Sequence, residues 1–185
     1  MDNLMIDIET LGTKPSCVIL SISAVSFDLK TGRIGDVFHQ NISVEDSVKQ
    51  GLKIDEKTFF WWLNQSKEAQ QRIVDLNHQH KLKNTLIRFY QFVYNYTSND
   101  VKVWGNSARF DLGILEAAFD LFDVELPWKH YNERDVRTLV AFAPEIKEEQ
   151  KFDGVPHYGI DDCKHQIKYC SKIFNKLNIA KNPNT

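Results

Sequence analysis

Apolar and polar positions alternate in short runs over the first forty residues and then change to helical spacing. Leu4 to Ile8 reads as a short buried strand, and Val18 to Phe27 as a longer one rich in β-branched and apolar side chains. After the turn Lys30-Thr31-Gly32, Ile34 to Ile42 resumes strand character. Such runs joined by short turns predict a three-stranded antiparallel meander. The middle of the chain has helical spacing: Thr58 to Leu63 is dense in aromatics, Lys67 to Leu76 continues in helix formers, and Leu82, Leu86, Phe89 and Val93 recur on one face.

Val101 to Trp104 is a brief apolar strand, and from Asp111 onward Leu112, Leu115, Phe119 and Phe122 share a helical face. That helix must end before Pro127, which has no amide proton for an interior helical position. A short strand candidate spans Tyr131 to Val136, and the last helix sets Ile160, Cys163, Ile167, Cys170, Phe174 and Leu177 in one amphipathic stripe. Three antiparallel strands followed by helices alternating with two more strands predict an α/β fold, a mixed five-stranded sheet flanked by helices. Residues 1–179 form one expected domain, and the polar stretch 180–185 an expected flexible tail.

Composition narrows the class. A chain of 185 residues with 42% hydrophobic content can bury one sizeable core. With 23 Lys+Arg against 25 Asp+Glu, it lacks the basic excess of a protein that coats duplex DNA. A carboxylate site filled by divalent cations reverses its sign locally, so nucleic acid stays open as a partner. Cys17, Cys163 and Cys170 are odd in number and lack Cys-x-x-Cys spacing, which argues against a disulfide framework and a structural zinc, and for a reducing cytoplasm. No apolar stretch approaches membrane-spanning length, and no signal sequence opens the chain.

The chemistry sits in acids. Side chains alternate faces along a strand, so Asp7 and Glu9 point the same way while Ile6 and Ile8 point the other. Two adjacent carboxylates repel unless a proton or a cation lies between them, and hard divalent ions suit such oxygen ligands. Alone, the pair also fits a solvated edge strand. Gly12 follows, where backbone can approach a ligand closely. In Asn106-Ser107-Ala108-Arg109-Phe110-Asp111 the acid opens a helix, a favourable N-cap in its own right. In His157-Tyr158-Gly159-Ile160-Asp161-Asp162 a histidine precedes a helix whose first turns carry two acids, which also suits the helix dipole. His78 and His80 lie in a polar stretch without partner acids at fixed spacing and read as a loop.

Taken together, Asp7-Ile8-Glu9-Thr10-Leu11-Gly12, Asn106 to Asp111, and His157 with Asp162 resemble, in order and spacing, the three exonuclease motifs of the DEDDh branch of the DnaQ-like, or RNase T, superfamily. Trp61-Trp62 with Gln65-Ser66, and Arg134-Asp135-Val136-Arg137-Thr138-Leu139, look similar to the phage DexA-type exonucleases and related bacterial exoribonucleases. The resemblance implies an RNase H-like fold and a 3′–5′ exonuclease that releases nucleoside 5′-monophosphates from single-stranded 3′ ends, with DNA favoured and RNA the alternative. It implies two Mg²⁺ or Mn²⁺ ions held by Asp7, Glu9, Asp111 and Asp162, and His157 as general base. Spacing from His157 selects Asp162 over Asp161. Glycine at 159 and cysteine at 163 stand where the family often has alanine, which leaves room for a different helix start.

On the same resemblance, Thr10 and Leu11 meet the terminal nucleotide, with Leu11 wedged against its base. One of Trp61 and Trp62 stacks on substrate beside Phe60, Gln65, Asn106 and Arg109 touch phosphate or sugar, and Arg134 or Arg137 supports the carboxylates. Three further readings remain open: an oligoribonuclease or RNA-trimming enzyme, a non-catalytic nucleic-acid-binding module, and a proofreading subunit. A homodimer is compatible with the resemblance, as is a phage protein acting in its host's cytoplasm.

Overall fold

The computed structural model describes residues 1–73 and 79–181. Six strands, β1 (Asn3–Thr10), β2 (Ile19–Phe27), β3 (Ile34–Ile42), β4 (Gln79–His80), β5 (Lys102–Gly105) and β6 (Glu133–Asp135), form one mixed sheet in the order β4-β3-β2-β1-β5-β6. The expected meander is there: β1 pairs antiparallel with β2 and β2 with β3, while β1–β5, β5–β6 and β3–β4 are parallel. The sheet therefore has one strand more than expected. The extra strand is two residues long and falls in the stretch read as a loop, where the Ser43 amide donates to the His80 carbonyl. His78 lies outside the described residues. The candidate strand Tyr131–Val136 shrinks to Glu133–Asp135, preceded by a 3₁₀ turn at His130–Asn132.

The described residues form eight helices: α1 (Val44–Lys49), α2 (Glu56–Leu63), α3 (Lys67–Ile73), α4 (Leu82–Tyr96), α5 (Ala108–Leu121), α6 (Val136–Val140), α7 (Pro144–Glu148) and α8 (Gly159–Lys181). Helices α1, α6 and α7 have five or six residues, too few for periodicity to reveal. Caps specify two of them, since Ser43 accepts from the Asp46 amide and Asp135 from the Thr138 amide. The end of the expected helix Lys67–Leu76 lies outside the described residues, as do residues 182–185. Helix α8 itself continues through 180 and 181.

Strand alternation sorts the core into two layers. Leu4, Ile6, Ile8 and Ile22 pack with Leu82, Leu86 and Phe89 of α4 and Leu112, Leu115 and Phe119 of α5. Met5, Val25 and Phe27 pack on the opposite face with Cys163, Ile167, Cys170 and Ile173 of α8. Strand β2, covered on both faces, is buried at every position. The α8 stripe is wider than expected, because Gln166, Tyr169 and Ile173 are buried as well. The functional consequence is one of parity: Asp7 and Glu9 continue the Met5 side, which α8 covers, and so α8 delivers its own acids to theirs.

Candidate active site

At the end of β1 an open cavity of about 600 Å³ is lined by Asp7, Glu9, Thr10, Asn106, Asp111, His157 and Asp162, among others. Asp7, Glu9 and Asp162 each place an oxygen so that all three lie within 4.8 Å of one another, the arrangement of a divalent-cation site. Asp111 adjoins them from α5. It does not cap that helix. Ser107 occupies the N-cap, and Asp111, one turn in, reaches back so that its Oδ2 accepts from the Ser107 amide (3.2 Å) while Oδ1 accepts from the Ile8 amide of β1 (3.3 Å). These two bonds pin the helix start to the strand that carries the other acids.

Helix α8 is locked just as closely. A β-carbon on Gly159 would stand 2.5 Å from Ser23 Oγ and 3.1 Å from Asp7 Oδ2, so glycine lets the helix start press onto β2 and Asp7. Asp161 turns away and accepts from the Val155 amide at 3.0 Å. Asp162 accepts the backbone N–H of His157, and its Oδ2 is buried without a hydrogen-bond partner. His157 adopts φ +65, in the left-handed region that a non-glycine residue enters at a cost. Its ring meets Trp61 and Trp62 edge-on, at centroid distances of 5.0 and 6.0 Å.

No ion pair among the described residues neutralises the four acids. Burial, then the charges of Asp111 and Asp162, hold the Asp7 carboxyl well above its ordinary range, and Gln166 Nε2, donating to Oδ1 at 3.3 Å, only partly offsets this. Glu9 is raised by burial and then by Asp7, Asp162 and Asp111. Burial pushes Asp111 and Asp162 up to about 6 each, against the amides that stabilise their ionised forms. Crowded carboxylates without countercharge, and a buried oxygen with no donor, fit a site for hard divalent cations. Burial moves His157 the other way, down from its ordinary value, which favours the neutral imidazole.

The remaining expected substrate residues divide. Thr10, Asn106, Trp61 and Trp62 line the cavity. Trp62 is 4% exposed and donates through Nε1 to the Thr10 carbonyl (2.9 Å), whereas Trp61 is 44% exposed and presents ring surface to solvent. Leu11 does not face the acids. It is 7% exposed and packs in the core, bordering a separate apolar cavity with Leu20, Phe59 and Trp62. Gln65, just past the end of α2, donates to the Trp61 carbonyl of that helix and lies outside the cavity, as does exposed Arg109. Arg134 donates to the Tyr131 and Glu133 carbonyls and supports no carboxylate. Gly12 borders the cavity, but its lack of a side chain answers to Cys17, whose Cβ would lie 2.6 Å from an added one.

Sequence reasoning missed Gln166, Lys57, Thr58 and Phe110, which also line the cavity. Gln166 had a signal, since it lies one helical turn beyond Asp162 and shares its face. Lys57 and Thr58 reach the cavity because α2 is tied back to the end of β1, where the Asp55 amide donates to the Leu11 carbonyl (2.7 Å) and Trp62 to the Thr10 carbonyl.

A family model described as the 3′–5′ exoribonuclease Rv2179c-like domain matches residues 2–174. An exodeoxyribonuclease of Enterobacteria phage T4 is 24% identical over 198 aligned positions, which cover 90% of this chain and 86% of the relative. Among solved structures, the nuclease domain of 3′hExo, a DEDDh family member bound to rAMP, superposes with a TM-score of 0.63 at 15% identity, covering 94% of this chain and 92% of that one. E. coli Exonuclease I in complex with an oligonucleotide superposes with a TM-score of 0.65 at 17% identity. There the match covers 97% of this chain but only 43% of the larger enzyme.

Proposed function

We infer, from a chain that belongs to the family of Rv2179c-like 3′–5′ exoribonuclease domains and is a 3′–5′ exonuclease, that its four acids hold two Mg²⁺ or Mn²⁺ ions and that His157 is the general base. The observation that carries this reading is the meeting of Asp7, Glu9 and Asp162 within 4.8 Å, with Asp111 beside them. Bound cations of this kind supply Lewis-acid stabilisation of the charge that gathers on the phosphoryl and leaving oxygens. Asp7, flanked by Asp111 and Asp162, would be the shared ligand, with Glu9 and Asp162 holding one ion and Asp111 the other. Charge cancellation at these carboxylates is the source of affinity, since each is costly to ionise without a countercharge.

His157 takes the proton from the attacking water. Its lowered pKa keeps the ring neutral and able to accept at neutral pH, while its left-handed backbone and the two tryptophan rings fix the imidazole's place. The products are a nucleoside 5′-monophosphate and a strand shorter by one residue. The cavity is in the size range of a small-molecule site and accepts a chain end. Trp61 is the tryptophan able to stack on a base, which every nucleotide permits. Residues 1–179 act as this one domain, and the three free, buried thiols suit a reducing cytoplasm. Among the described residues no helix is long and apolar enough to cross a membrane.

Single-stranded DNA is the first substrate reading, after the phage relative that matches most of the chain. RNA is the second, favoured by the family description. Digestion of 5′-labelled single-stranded DNA, single-stranded RNA and duplexes in Mg²⁺ or Mn²⁺ separates them. A clear preference in kcat/KM for DNA supports the first, a preference for RNA the second, and cleavage of neither refutes both.

A further inference from the structure

Of the arginines that the motifs bring forward, one reaches the acids without joining them. Arg134 is spent on backbone carbonyls and Arg109 lies outside the cavity. Arg137 is exposed and lines the cavity with the four carboxylates, and its side chain makes no hydrogen bond or ion pair among the described residues. A guanidinium supporting carboxylates would be paired with one of them, and this one is not.

The nearest acid in sequence makes no direct bond to it either. Asp135 Oδ1 accepts from the amide and hydroxyl of Thr138 (2.7 and 2.9 Å), and Oδ2 accepts from the Ala108 amide at the start of α5 (2.8 Å). Burial opposes ionisation of Asp135, but these donors, with a smaller contribution from the Arg137 charge, outweigh it and its pKa is lowered. Asp135 thereby staples α6 to the helix that carries Asp111, which fixes the base of the Arg137 side chain relative to the acids while leaving the guanidinium N–H groups unbonded.

We propose that Arg137 is a substrate-binding residue that grips a backbone phosphate of the incoming strand, one next to the bond being cleaved. The proposal rests on the exonuclease reading above. A planar guanidinium suits a phosphate through paired N–H donors, and the fork is worth more on a fixed mount than on a wandering loop. The acids and their cations would take the reacting phosphate, and Arg137 supplies, besides Lys57, a cationic contact to the strand in an otherwise acidic cavity.

The test compares wild type, Arg137→Ala and Arg137→Lys on a short labelled oligothymidylate over a range of salt, together with fluorescence anisotropy of the same oligonucleotide in EDTA. Arg137→Ala is expected to raise KM and the EDTA dissociation constant about tenfold with kcat within twofold. The slope of log affinity against log salt should become shallower by about 0.7, the share of one phosphate contact on a single strand. Arg137→Lys should restore the slope. A methylphosphonate walked along the strand should weaken wild type at one linkage and leave Arg137→Ala indifferent there. Unchanged KM and salt slope in Arg137→Ala overturn the proposal, as does a fall in kcat alone. Inactivity of the wild type would sink the exonuclease mechanism itself, a result distinct from either.

Discussion

Replacing Asp111 by Asn should reverse its effect on stability between acid and alkaline pH. The carboxyl titrates at about 6 in the folded chain against 3.8 when free, because burial outweighs the amides of Ser107 and Ile8. Its folded pKa lies above its unfolded one. The associated stability is therefore complete below about pH 4 and is lost as pH rises through about 6. By pH 8 the loss is on the order of 3 kcal/mol, at about 1.4 kcal/mol per pH unit between the two values. Asparagine never ionises and escapes that loss, but it accepts from only one of the two amides and presents an N–H₂ to the other, costing about 1–3 kcal/mol. Without divalent metal, the variant should be about 2 kcal/mol less stable than wild type near pH 4 and about 1 kcal/mol more stable at pH 8. In unfolding midpoint that is about 4–8 °C below wild type at pH 4 and about 2–4 °C above it at pH 8 for a chain of this size. Adding Mn²⁺ at pH 8 should raise wild type above the variant, since only the full set of carboxylates binds the ion tightly. Thermal unfolding in EDTA and in Mn²⁺ at both pH values measures all four. Parallel pH curves for the two proteins would refute the claim that the buried acid is held against its own ionisation.

Asp162→Asn should abolish turnover, with unfolding in EDTA at pH 8 no less cooperative than wild type. His157→Ala should lower kcat by roughly 10²–10⁴-fold while sparing the stabilisation by Mn²⁺. In wild type, the acid limb of kcat/KM should lie below the ordinary histidine value of 6.5, the direction that burial moves it. Gly159→Ala should cost about 1–3 kcal/mol in urea unfolding, because the added methyl meets Ser23 Oγ at 2.5 Å. It should also depress activity, because Asp7 lies on the same side. Ser23→Ala in the Gly159→Ala background should recover part of the stability.

The sheet and its two layers were legible because they follow from periodicity. Alternation in β1 already assigned Asp7 and Glu9 to one face and Ile6 and Ile8 to the other, and the α8 stripe implied the cover for one of them. Short elements were not legible: caps start α1 and α6, a proline opens α7 and a few ladder bonds hold β4, and these leave little periodic trace. The acids could be found because four residues of one type at family spacing are improbable in combination, even though each had an ordinary explanation. Asp111 shows how the two descriptions merge, since its side chain serves the helix start through Ser107 and the site through Ile8.

Substrate contacts were harder, since they depend on which way a side chain turns at the end of an element. Leu11 turns into the core and Gln65 folds back on the end of α2, while Lys57 arrives through a loop bond that no local pattern announces. Glycine at 159 has its reason in Ser23, more than a hundred residues away.

The most direct measurement of the central claim is a time course on a 5′-labelled single strand, in Mn²⁺ or Mg²⁺ and in EDTA, for wild type and Asp7→Asn. The expected result is a ladder shortening one nucleotide at a time from the unlabelled end, with nucleoside 5′-monophosphate released, only with metal and only for wild type. Shortening that persists in EDTA, or that survives Asp7→Asn undiminished, would contradict a mechanism built on cations held by these acids.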